Sequence, residues 1–164
     1  MKRNGFGFDG FTSKGYKYRK TEGIRVFFDS IPADLSENAI LLLLMLARVA
    51  NNENMLVEKV PYKSRFSSIR YSALTIEEMR TRTAKVYGIV KYKKAFTELK
   101  KHCLKKIKYN GINAWAINPA FVMCSPFLPI WLYNEFQEDI NPHLTAYAIK
   151  TFRSKINEWE DWFL

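Results

Sequence analysis

The dipeptide Asn110-Gly111 constrains this 164-residue chain more than any other feature. It stands between two strand-like runs, residues 105–109 and 112–118. A two-residue hairpin turn needs positive φ at both positions, which Asn and Gly adopt at low cost. The return strand places Trp115 and Ile117 on one face. It stops at Pro119, which has no N–H for a ladder. Ahead of the hairpin two helices are predicted. The first starts near Thr75, three residues before Glu78, the spacing of a capping box. Ile76, Met79 and Thr83 give it a narrow apolar stripe. Residues 84–88 break that pattern, and Gly88 suits the left-handed conformation that ends a helix. The second helix begins at Ile89 or Val90. It continues through Ala95, Phe96, Leu99, Cys103 and Leu104, mostly at spacings of 3 and 4.

The outer face of the second helix is cationic, with Lys91, Lys93, Lys94, Lys100 and Lys101. Tyr92 and Thr97 are polar contact residues there, and Glu98 is the sole acid. From Lys91 to Lys108 eight lysines face that one acid. Alone, such a helix reads as a solvated surface. Followed at once by a basic hairpin, it outlines a winged helix-turn-helix. The expected class is α+β and mostly helical, with a two- or three-stranded wing sheet and added C-terminal helices. The second helix would enter the major groove of double-stranded DNA. Tyr92, Lys93, Thr97 and Lys100 would point toward base edges, and Lys91, Lys94 and Lys101 toward phosphates. Lys105, Lys106 and Lys108, with the Asn110-Gly111 tip, would form a wing over the neighbouring backbone.

These residues also resemble a known family. The run GIVKYKKAFTELKKHCLKKI, a short turn and then WAINP are similar to the winged-helix region of RepL-type plasmid replication proteins. In that family a leucine-containing helix leads through a short wing to a strand ending in aromatic-x-Ile-Asn-Pro. The matching residues are Gly88, Ile89, Ala95, Leu99, Leu104, Ile107, Trp115, Ile117, Asn118 and Pro119. The resemblance spans roughly residues 36–119, about half the chain. It implies a fold and a role: binding repeats in a plasmid or phage origin and recruiting host replication proteins. It implies no catalytic residue.

Composition agrees with a polyanionic partner. The net charge is +10 and the isoelectric point about 9.6, a balance that favours nucleic acid over an anionic membrane. The charge is uneven. Residues 125–164 hold three cations and six acids, a net of −3, so residues 1–124 carry +13. Three regions are expected: a flexible basic aromatic arm at 1–23, a winged-helix DNA-binding domain at 24–124 and a C-terminal helical extension at 125–164. In the arm, Phe6, Phe8, Phe11, Tyr16 and Tyr18 alternate with cations and show no helical or strand period. They could contact nucleic acid or pack back onto the domain or a second subunit. Residues 24–29 suggest a short strand. Ser36 would cap an apolar helix over 37–50, with Leu35 and Ile40 as a staple. Residues 55–60 suggest a third wing strand. Residues 61–73, with Lys63, Arg65 and Arg70, form a basic segment of unassigned structure. Beyond Pro129 two more helices are expected. The last carries a stripe of Leu144, Tyr147, Ala148, Phe152, Ile156, Trp159 and Phe163. That stripe suits packing on the first helix or, alternatively, a homodimer surface.

No enzyme is expected. Rolling-circle initiators use a tyrosine beside a metal held by a His-hydrophobic-His pair, whereas His102 and His143 stand apart here. Walker-type loops, Cys/His metal spacings and Gly-x-Ser-x-Gly are absent from the sequence, so no cofactor is implied. Glu77 and Glu78 read as residues favoured at a helix N-terminus, not as a catalytic pair. Cys103 and Cys124 are too few for a disulfide framework and read as core residues. There is no apolar leader, and the longest apolar run, 39–47, is too short to span a bilayer. A soluble cytoplasmic protein is expected. A transcriptional regulator with the same contacts is one alternative reading. An RNA-binding or structural protein using the N-terminal arm is another.

Overall fold

A computed structural model describes residues 8–12, 15–18, 23–60 and 70–163, with side chains described within 23–60 and 70–157. Strands β1 (Phe8–Thr12) and β2 (Gly15–Tyr18) form an antiparallel hairpin. The two-residue strand β3 (Arg25–Val26) follows, then a 3-10 turn at Phe28–Ser30. Helix α1 (Glu37–Val49) leads to the hairpin of β4 (Val57–Val60) and β5 (Arg70–Ala73). Helices α2 (Ile76–Arg82), α3 (Ala84–Tyr87) and α4 (Tyr92–His102) come next. They lead into the hairpin of β6 (Leu104–Tyr109) and β7 (Ile112–Ile117). Strands β8 (Val122–Met123) and β9 (Phe127–Leu128), then helices α5 (Ile130–Ile140) and α6 (Ala146–Phe163), complete the chain. The protein is therefore α+β, with helices packed around small antiparallel sheets.

Local sequence signals explain most helix boundaries. The Ser36 hydroxyl accepts from the Ala39 N–H at 3.2 Å and opens α1. Thr75 and Glu78 form the reciprocal capping box of α2. Gly88 takes φ +66° after α3, and Lys91 takes φ +55° as the residue before α4. Between them the chain turns sharply, so α4 starts two to three residues later than the apolar period suggested. The Asn110-Gly111 turn has φ of +45° and +82°, as a two-residue hairpin with Tyr109 opposite Ile112 requires.

Two expectations about strands change. Residues 8–12 and 15–18 lack an alternating pattern, yet β1 pairs with β2 and β2 pairs with β9. Ladder bonds join main-chain groups and need no side-chain period. Expectations for the rest of the arm, and for Lys63 and Arg65, lie outside the described residues. The third strand beside β7 is shorter than expected. Met55 forms a bridge to Ala116, and Leu56 N–H donates to the Trp115 carbonyl at 2.8 Å. Beyond that point the segment turns to pair with β5 instead.

The core is one cluster. Leu42, Leu43 and Leu46 of α1, Met79 of α2, Leu99 of α4 and Ile117 of β7 join Leu132, Tyr133 and Phe152 of the last two helices. Among the described residues, Leu128 to Phe152 thus belong to the same core as Ala39 to Met123. Helix α6 packs mainly on α5, where α1 was expected, through Tyr133 stacked on Phe152 at 4.1 Å. Ala148 and Phe152 are buried in that contact, while Tyr147 faces out. Trp159 and Phe163, the end of the stripe, lie outside the described side chains.

Two buried asparagines tie these elements together. Asn54 donates to the carbonyls of Ile117 and Val122 at 3.0 and 2.7 Å and accepts from Cys124 N–H at 2.9 Å. Asn118 donates to the His102 carbonyl at 3.0 Å and to the Asp139 carboxylate at 2.9 Å, and accepts from Ala120 N–H at 3.0 Å. It satisfies a terminal carbonyl of α4 while tethering α5 to the end of β7. The Ile-Asn-Pro pattern thus has a structural cause: an apolar anchor, a polar bracket and a strand stop.

Candidate nucleic-acid interface

Helix α4 buries Tyr92, Ala95, Phe96 and Leu99. With 3.6 residues per turn, the side opposite these carries Lys94, Thr97 and Lys101 at i, i+3 and i+7. Lys93 and Lys100 lie on one flank of it, and all five are exposed. The Thr97 hydroxyl donates to the Lys93 carbonyl at 2.8 Å, which leaves its methyl and oxygen lone pairs outward. Lys91, at the turn into the helix, is also exposed.

Glu98 keeps its charge but is tied to one place. Its carboxylate accepts from the Ser36 hydroxyl at 2.7 Å and from the Ser36 N–H at 3.2 Å. These bonds hold its pKa below the usual carboxylate range, with Lys94 and Lys101 adding in the same direction. The acid therefore serves as a strut between α4 and the start of α1.

Tyr92 is a correction. It is only 6% exposed, and its hydroxyl donates to the Ile76 carbonyl at 3.0 Å. Burial, with the charge of Glu77 next in weight, pushes its pKa up to about 12. It is in phase with Phe96 and Leu99, so it joins the core and leaves the candidate contact surface.

The hairpin behind α4 has two different faces. Leu104, Lys106 and Lys108 of β6 oppose Ile117, Trp115 and Asn113 of β7 on one side. This side meets α4, with the Trp115 and Phe96 rings edge-to-face at 5.5 Å. The Lys106 ammonium lies 5.9 Å from the Trp115 ring centre. Lys105 belongs to the other side, because side chains alternate along a strand. Its ammonium pairs with the Glu135 carboxylate at 3.1 Å and also donates to the Glu135 carbonyl. The expected trio of wing lysines therefore divides. Lys106 and Lys108, with Asn110 at the tip, remain exposed beside α4, and Lys105 is held by α5.

Among the described residues, salt bridges engage Arg80, Arg82 and Lys105. Lys91, Lys93, Lys94, Lys100, Lys101, Lys106 and Lys108 enter none of them. A cleft of about 480 Å³ borders this surface, with Lys100, Lys101 and Lys105 on one wall and Glu135, Glu138 and Asp139 on the other.

Other chemistry is sparse. His102 and His143 both line a shallow cavity of about 370 Å³, where a His143 ring nitrogen lies 3.1 Å from the Ser30 hydroxyl. Burial lowers the His143 pKa. No group of three or more His, Cys, Asp or Glu among the described residues could hold a metal ion. Cys103 and Cys124 are free thiols whose burial pushes each pKa up to about 12, which makes them poor nucleophiles. No helix of the described residues is long and apolar enough to cross a membrane. Compared with protein-family models, curated proteins and solved structures, the chain matches none of them.

Proposed function

We propose that this chain is a winged-helix protein that binds double-stranded DNA sequence-specifically, with α4 as its groove helix and the β6–β7 hairpin as its wing. The observation that carries the reading is the solvent side of α4. There Lys94, Thr97 and Lys101 stand opposite the core, Lys93 and Lys100 run in a stripe with Thr97 along one flank, and among the described residues none of these lysines is in a salt bridge. A helix with that stripe fits the width of a major groove, and flanking lysines suit the phosphates on either rim. The neighbouring hairpin adds Lys106, Lys108 and Asn110. Resemblance to RepL-type proteins supports the biological role of a plasmid or phage replication initiator acting at origin repeats with host replication proteins. A homodimer would fit origin repeats.

The test compares affinities for duplex DNA, single-stranded DNA and RNA at one fixed salt concentration. Duplex preference, weakened by Lys94→Ala and redirected in sequence by Lys93→Ala or Thr97→Ala, is the expected result. Preference for unstructured RNA, indifferent to Lys93 and Lys100, would overturn it. Footprinting on the replicon that carries the gene locates the target. A plasmid that still replicates without the gene would remove the initiator role and leave a transcriptional regulator.

A further inference from the structure

The aromatic expected at the front of α4 is buried, and aliphatic side chains occupy the surface beside it. Val90, just ahead of the helix, is 63% exposed, and Ile76, the first residue of α2, is 47% exposed. The Tyr92 hydroxyl donates to the Ile76 carbonyl at 3.0 Å, so a tyrosine side chain spans between the start of α2 and the start of α4. Lys91, Lys93 and Lys94, which follow Val90 in the chain, are exposed. The nearby acid Glu77 is paired with Arg80 at 3.1 Å, and Glu78 is engaged in the cap of α2.

We infer that Val90 reads thymine methyl groups in the major groove; this rests on α4 being a groove helix. The N-terminal residues of such a helix are those that meet base edges. Along the major-groove edges of the four bases, the one apolar feature is the thymine C5-methyl, and aliphatic side chains recognise it by exclusion of water. Charge complementarity selects the occupant. Exposed lysines next to Val90 in the chain, in none of the salt bridges among the described residues, suit a polyanion carrying methyl groups better than an apolar protein surface.

The test begins with duplexes enriched by the wild-type protein from a random library. Each is resynthesised with deoxyuridine replacing thymidine at one enriched position at a time, which removes a single methyl. At one or two positions affinity should fall about fourfold, the weight of one buried methyl. Val90→Ala and Val90→Thr, both at a solvent-exposed position, should lose the difference between the thymidine and deoxyuridine probes. Enrichment of duplexes that bind equally well in both forms would overturn the inference while leaving α4 as a groove helix. So would retention of the difference in both Val90 variants. Failure to enrich any duplex, with Lys94→Ala binding unchanged, would overturn both readings together.

Discussion

Asn118 is the residue whose loss should be felt furthest from its own position. Its amide joins the last turn of α4, the chain after β7 and Asp139 of α5 in one buried bracket. Asn118→Ala leaves a helix carbonyl and a carboxylate without this partner. Such an orphaned group costs about 1–3 kcal/mol, or roughly 3–10 °C in the thermal midpoint of a chain this size. Asn118→Asp should fare worse at neutral pH, because a second carboxylate would then face Asp139. A scanning calorimetry series on the two variants and the wild type checks the order. Glu98 makes a pH-dependent contribution of known sign. Its folded pKa is lowered, chiefly by the bonds from Ser36, relative to an ordinary value of 4.5. That contribution is present above pH 4.5 and disappears as pH falls through the lower folded value. The stability difference between wild type and Glu98→Gln should therefore shrink on acidification below pH 4.5. A difference that stays constant down to pH 3 would show that the Ser36 bonds do not depend on the carboxylate's charge.

Elements that carry a local stereochemical signal were legible in the sequence, and those defined by distant partners were not. Thr75 and Glu78, Ser36, Gly88 and Asn110-Gly111 each fix a backbone geometry within a few residues, and the structure has each of them. Tyr92 was misplaced because a phenol suits both surface and core. Its phase with Phe96 and Leu99 already pointed to the core, and the hydrogen bond to the Ile76 carbonyl, 16 residues away, satisfies its hydroxyl there. Lys105 was grouped with Lys106 and Lys108 because the charge run hides the alternation of a strand. The period of two was nevertheless there to be read. The pairing of β2 with β9 spans more than 100 residues and leaves no local trace. The exposed lysines of α4 were legible, since the apolar period marks the opposite face. The two sides of the hairpin make a prediction of their own. If duplex binding follows the proposed geometry, Lys106→Ala should flatten the dependence of log K on log salt by about one phosphate, a change of roughly 0.9 in slope. Lys105→Ala should leave that slope nearly unchanged, because Glu135 already neutralises its charge. Equal slopes lost at both positions would mean that the hairpin lies flat against the DNA.

Across the whole molecule, positive and negative charge are separated along the chain but adjoin in space. The first 124 residues carry +13 and the last 40 carry −3, and acids of α5 adjoin lysines at the end of α4 and the start of β6. Glu135 pairs with Lys105 there, and the exposed Glu138 lines the cleft opposite Lys100 and Lys101. The fold thus sets an acidic border along one side of the surface proposed for DNA. That border should lower affinity for any polyanion and confine it to the remaining lysines. Removing one charge from it has a calculable effect. A unit charge about 10 Å from a phosphate in a water-rich medium is worth roughly 0.4 kcal/mol. Glu138→Gln, acting on one or two phosphates, should therefore raise duplex affinity about two- to fourfold at 0.05 M salt. The screening length falls from about 10 Å at 0.1 M to about 3 Å at 1 M salt, so the gain should disappear as salt is raised. Thermal stability should barely move, since Glu138 is exposed and none of the observed salt bridges includes it. Fluorescence anisotropy titrations of one labelled duplex across that salt range separate the outcomes. A gain that persists at high salt would have to come from a rearranged α5, and an absent gain at low salt would place the bound duplex beyond the reach of this helix.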